Sequence, residues 1–275
     1  MKLENSVENG KDVQNGNRAY GYLYTLLPVL SIALFIALWF LGASSNPLVF
    51  PTPFRVLGKM KELLLAPLGG YTLFGHIAWS LLRVFVSLLI AMLIGIPLGI
   101  LIGWSPSVRA TIGALIECIR PIPMLAWIPL MVMWFGVGEK SKIVMITMSA
   151  AMPIIVNSYT GIKMVSPLYL DVGRMFNASS QKDLLINIVL PSALPTIFAG
   201  IRNATGMALM VVLAAEMLAA KAGLGFLINR GMEVFDVSLV MCGMVIIGVV
   251  GALLAVLTNL LERKICPWNR SLMSE

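Results

Sequence analysis

Five charged side chains fall inside or beside otherwise apolar stretches: Arg83, Glu117, Arg120, Arg202 and Glu216. A charge is costly in hydrocarbon and must face protein or water. Two chemistries suit such residues. One is attraction of an anion along a polar path, for which Arg83, Arg120, Arg202 and Glu216 are the candidates. The other is ion pairing that ties helices together. Arg202 and Glu216 lie fourteen positions apart, about 21 Å along a straight helix, so they cannot pair with each other. Arg83 and Arg120 are both eligible partners for Glu216, and near span ends an arginine can also snorkel to the interface.

Other chemistries have little to build on. A single histidine, His76, and few acidic residues in the apolar stretches leave no catalytic constellation. Cys118, Cys242 and Cys266 form no C-x-x-C pair, so no metal site is expected. No G-x-x-x-x-G-K-[ST] loop occurs. Gly138-Glu139-Lys140-Ser141 approaches it but has no glycine before the lysine. Any nucleotide chemistry therefore belongs to another subunit.

The elements that hold these residues are set by the solvent. Of 275 residues, 59% are hydrophobic and only 12% charged, against about 25% charged in a soluble domain. So little charge cannot cover a water-facing surface, and lipid is the expected surrounding. The net charge of +7 is spread thinly through loops and tails, which argues for membrane flanks rather than nucleic acid. The eighteen methionines read as adaptable packing.

Charge-free runs predict about six spans: 22–42, 84–106, 121–138, 143–162, 191–218 and 237–261. The expected order is a cytoplasmic tail (1–21), a first transmembrane helix (22–42) and an extracytoplasmic segment (43–79). A five-helix core (80–261) with an internal loop (164–190) and a cytoplasmic tail (262–275) follow. Residues 53–66 read as a short amphipathic segment outside the bilayer. Gly95, Pro97 and Gly99 suit a helix packed closely in a bundle. Pro121, Pro123 and Pro129 predict an irregular third span. Gly223 and Gly225 predict a tight re-entry after Glu216. With both termini inside, ten of the twenty Lys and Arg fall inside and seven outside, a weak positive-inside bias.

The internal connection 171–204 has a pattern of its own. A helical pattern over 166–176 ends at Asn177, which tolerates the left-handed conformation that closes a helix. Ala178 to Lys182 form a turn, a short second helix follows, and Pro191 suits the start of a new helix.

This segment resembles the signature loop of ABC-importer permeases: E-A-A, three residues, G, nine residues, I-x-L-P. Asp171, Val172 and Gly173 take the E-A-A positions, Asn177 the glycine, and Ile188, Leu190 and Pro191 the ending. Asp stands for Glu, Asn for Gly, and ten residues rather than nine precede Ile188. Longer matches to the nitrate/sulfonate/taurine/bicarbonate branch run in order over about residues 46–261. They are SLLRVFVSLLIAMLIGIPLG (80–99), IRPIPMLAWIPLMVMWFGVGEKSKI (119–143), VLPSALPTIFAGIR (189–202) and LAAEMLAAKAGLGFLI (213–228).

The resemblance implies an all-α membrane protein with the type I ABC importer permease (MetI-like) fold, multi-pass in the cell membrane. It implies a loop that couples to separate ATPase subunits, carried by Asp171, Gly173, Arg174, Asn177, Ala178, Ser179, Gln181, Lys182, Asp183, Leu190 and Pro191. It further implies a second permease copy, an extracytoplasmic solute-binding protein docking near 219–231, and a small anionic solute. ATP and Mg would be held by the partner ATPase, with no cofactor in this chain. A secondary transporter or channel stays open as the alternative; only Glu216 offers it a mid-span acid.

Overall fold

The computed structural model describes residues 26–44, 50–176 and 180–268. The expected tails (1–21 and the end of 262–275) and Asn177, Ala178 and Ser179 lie largely or wholly outside these residues. The chain divides into two units, Met1–Lys59 and Met60–Glu275.

In the first unit, α1 (Leu26–Ser44) is apolar and almost wholly exposed. Its 19 residues rise about 28 Å, close to the ~30 Å hydrocarbon thickness. Trp39 Nε1 donates to the Pro51 carbonyl at 3.1 Å. Helix α2 (Pro53–Leu65) then starts on a proline, at the first position, where no N–H is needed.

The second unit is built on three long helices: α3 (Leu73–Trp104), α6 (Glu139–Lys163) and α8 (Gln181–Leu218). Helix α3 turns the soluble pattern inside out. Its buried face carries His76, Ser80, Arg83, Ser87, Ala91, Gly95, Gly99 and Gly103, at spacings of three and four. Leu82, Phe85, Leu89, Leu93 and Leu101 point outward. Lipid tails are as apolar as leucine, so small and polar residues seek the protein interior.

The glycines set the contact with α6. A Cβ on Gly95 would lie 3.0 Å from Ile154, on Gly99 2.5 Å from Ser158 Cβ, and on Gly103 2.7 Å from Ile162 Cβ. The partner is always 59 positions on, so α3 and α6 run parallel. Helix α8 runs antiparallel to α6: Gly161 meets Ala193 and Thr196, and Gly200 meets Asn157. Ala91, Ile146, Ala150, Ile154, Ala204, Ala208 and Val212 fill the seam between the three.

Parallel α3 and α6 require residues 105–138 to return across the layer. They do so as α4 (Pro106–Ile119) and α5 (Met124–Phe135), bent by 88°. The irregular span expected at 121–138 is thus the second limb of a broken one. Pro121, Pro123 and Pro129 remove three backbone donors within nine residues, and the first turn of α5 tightens to a 3-10 form. Among the described residues, five helices are long and apolar enough to span, and six if the bent pair counts as one.

Two further expectations shift. Helix α3 begins at Leu73, within the segment assigned to the exterior, because its polar first turns are paired inside the protein. The expected short helix and a fresh start at Pro191 are instead one helix, α8, with a π turn at Leu185–Val189. The wider turn leaves room for the Pro191 ring, which would otherwise meet the carbonyl four residues back. Helix α7 (Pro167–Met175) precedes α8, while α9 (Leu224–Glu233) and α10 (Val237–Ile265) close the unit.

Candidate functional site

Near the N-terminal ends of α3 and α6, five segments meet in a buried polar network. Arg83, 4% exposed, donates from Nη1 to Glu216 Oε1 at 2.6 Å and to the Ala222 carbonyl at 2.7 Å. Its Nε and Nη2 grip both oxygens of Glu139 at 2.7 and 2.8 Å. Lys142 Nζ joins Glu139 at 2.9 Å. Arg83, Lys142 and Glu216 are buried with their charges paired, while Glu139 is half exposed. The near miss to a nucleotide loop is accounted for as well: Glu139, Lys140 and Ser141 start α6, and Glu139 holds Arg83.

Glu216, 1% exposed, accepts further from Ser80 Oγ at 2.8 Å and from the Gly225 N–H at 2.9 Å. Ser80 Oγ also accepts from the Leu224 N–H at 2.8 Å. A carboxylate and a hydroxyl from two other helices thus cap the N-terminus of α9, where N–H groups are free and the dipole favours negative charge. His76 Nδ1 accepts from the Gly223 N–H at 3.1 Å, which leaves Nε2 to donate to Leu68 O at 3.0 Å. Its ring stacks on Phe226 at 5.6 Å. The re-entry predicted from Gly223 and Gly225 is this junction. Gly223 holds φ +132°, and a Cβ there would lie 2.3 Å from the Glu216 carboxylate.

Three of the four path candidates have ion-pair partners: Arg83 and Glu216 each other, and Arg202 the buried Glu262. Arg120 instead lines a cleft of about 260 Å³ with Arg109, Glu117 and Tyr159. Ser80, Glu139, Lys142 and Glu262 were not among the candidates. The i, i+4, i+7 run of His76, Ser80 and Arg83 in an apolar stretch is the pattern that marks the first of these.

The loop candidates gather at the opposite end. Gly173 is the buried residue of α7, and a Cβ there would lie 2.0 Å from Ile188 Cδ1 and 3.2 Å from Leu184 Cδ2. Helix α7 therefore lies tight on the first turns of α8. Asp171 and Arg174 pair with each other at 3.0 Å on the exposed face. Ser180 caps α8 by accepting from the Asp183 N–H at 3.1 Å, with Gln181, Lys182 and Asp183 exposed in its first turn. Leu190 and Pro191 follow the π turn.

Residues 95–270 match the family described as the binding-protein-dependent transport system inner membrane component. The chain belongs to this family. The permease is 36% identical to the taurine transport system permease protein of Escherichia coli strain K12, over 88% of this chain and 90% of that one. It is 33% identical to a putative aliphatic sulfonates transport permease protein of Bacillus subtilis strain 168, over 93% and 91%. It is 34% identical to a bicarbonate transport system permease protein of Synechococcus elongatus, over 83% and 85%. An inward-facing structure of the MetNI methionine ABC transporter matches with a TM-score of 0.59 and 20% identity, covering 75% of this chain and 98% of that one. That likeness establishes the fold: all-α, of the type I importer permease kind. The permease is a multi-pass membrane transport subunit.

Proposed function

We propose that the permease forms half of the translocation pathway of an ATP-driven importer for a small oxyanionic solute. A second copy supplies the other half, and both termini face the cytoplasm. The names of its relatives, taurine, aliphatic sulfonate and bicarbonate permeases, support this solute class. Separate ATPase subunits, which hold ATP and Mg, dock on α7 and the first turn of α8. A solute-binding protein docks at the other end, near α9.

The observation that carries the coupling is the continuity of α8. Its 38 residues extend about 57 Å. One end seats α7, whose last residue Met175 and the following Phe176 are 86% and 84% exposed beside charged Arg174. The other end carries Glu216 and so the network around α9. A push on α7 reaches Glu216 along one hydrogen-bonded rod. Large apolar side chains amid charges are the composition of a protein contact.

The test is uptake of taurine or an alkanesulfonate into vesicles holding the permease, its ATPase and its binding protein. Uptake is expected only with hydrolysable ATP inside. Uptake that continues with an inactivated ATPase would assign the chain to the secondary transporters or channels.

A further inference from the structure

The cleft at Arg120 joins the C-terminal part of α3 (Ile102), α4 and the later part of α6 (Ile155, Val156, Tyr159), toward the end of the unit that carries α7. Its volume, about 260 Å³, is below the range of drug-sized sites and suits a solute of a few heavy atoms. Three charged residues line it. Arg109 is committed: it donates to the Ile102 and Gly103 carbonyls at 3.2 and 2.6 Å and stands 5.8 Å from the Tyr159 ring centre. Glu117 and Arg120 are different. Both line the cleft, yet neither has an ion pair or side-chain hydrogen bond among the described residues. Both are exposed at the cleft, whereas Arg83, Glu216 and Glu262 are buried and paired.

Opposite charges three positions apart on a helix sit about 5–6 Å from each other at Cβ. The other walls include Ile102, Ala114, Ile155 and Val156. A ligand filling this space would meet a cation and an anion side by side over an apolar floor.

The geometry points to a zwitterion subsite: Arg120 receives an oxyanion and Glu117 a protonated amine of one small transported solute. This rests on the importer reading and sharpens it. A plain oxyanion satisfies Arg120 alone, whereas an aminosulfonate or amino acid satisfies both. The cleft thereby adds a selectivity that favours amine-bearing solutes. A phosphatidylethanolamine head group carries the same two charges and is the competing occupant.

The test uses the assembled transporter in vesicles of phosphatidylglycerol alone. Cys118→Ser removes the exposed thiol next to Glu117, and Ala114→Cys places a reporter thiol in the cleft wall; Cys242 and Cys266 are buried. Maleimide labelling is followed with taurine, ethanesulfonate or ethylamine. Taurine is expected to protect at roughly tenfold lower concentration than ethanesulfonate, the value of one charge-assisted hydrogen bond. Glu117→Gln should erase that preference, Glu117→Asp should keep part of it, and Arg120→Gln should abolish protection by either sulfonate. Equal protection by the two sulfonates without variants at 117 or 120, or none, overturns the assignment. So does protection by added phosphatidylethanolamine without solute. ATP-driven uptake is measured in the same vesicles: intact uptake without protection refutes the subsite alone, and absent ATP dependence refutes the importer reading.

Discussion

Arg83 binds Glu216 through one edge of its guanidinium, at 2.6 Å, and Glu139 through the other, at 2.7 and 2.8 Å. One side chain thus joins α3, α6 and α8, and through the Ala222 carbonyl reaches the segment before α9. Removing one partner of such a buried pair leaves the other charge uncompensated, at about 3–5 kcal/mol. Arg83→Met and Glu216→Met are each expected to cost about that much in unfolding of the purified permease. The double variant should cost clearly less than the sum. Additive losses in denaturant titrations would show that the two residues do not act as a pair.

Gly223 is constrained twice, by its positive φ and by the carboxylate its Cβ would strike. Gly70 shares only the first constraint, with φ +87° and open space around it. Gly223→Ala should therefore destabilise the permease by more than the about 1–3 kcal/mol of backbone strain, and Gly70→Ala by strain alone. Thermal denaturation of both variants checks the order.

The stripe of α3 against α6 makes a similar prediction for assembly. An added Cβ at Gly99 meets the Ile155 carbonyl at 2.6 Å, a backbone atom that cannot swing aside, whereas Gly248 has open space. Gly99→Ala should lower the yield of folded permease, and Gly248→Ala should not. Gel-filtration profiles in detergent separate the two outcomes.

At α7 the Asp171–Arg174 pair is exposed on both sides, and such a pair contributes little to stability, about 0.3–0.5 kcal/mol. Arg174→Glu should leave folding intact and reduce ATP-driven uptake severalfold. Unchanged uptake would remove α7 from the ATPase contact.

The cysteines should separate by reactivity. Cys266 follows the last turn of α10, where burial, and next the negative charge of Glu262, push its thiol above the usual range. The thiolate reacts, so Cys266 should label slowly at neutral pH and faster as pH rises. Cys118 is exposed and should label first. Mass spectrometry after brief maleimide treatment at two pH values reads both sites.

Composition and hydropathy alone determined that the chain lives in lipid and where most of its long helices run, because twenty uncharged apolar residues in a row have no other stable home. The helical form of the internal connection was also legible, since α7 and the start of α8 are local in sequence. What tertiary structure decided is the partnering. The sequence offered Arg83 and Arg120 equally to Glu216. Only the parallel register of α3 with α6, set by glycines 95, 99 and 103, brings Arg83 level with Glu139, and the packing of α8 brings Glu216 to the same point. The direction of the bend at 120–123 was equally hidden. Prolines announce that a helix will break, but the direction of the next limb follows from where its neighbours must stand.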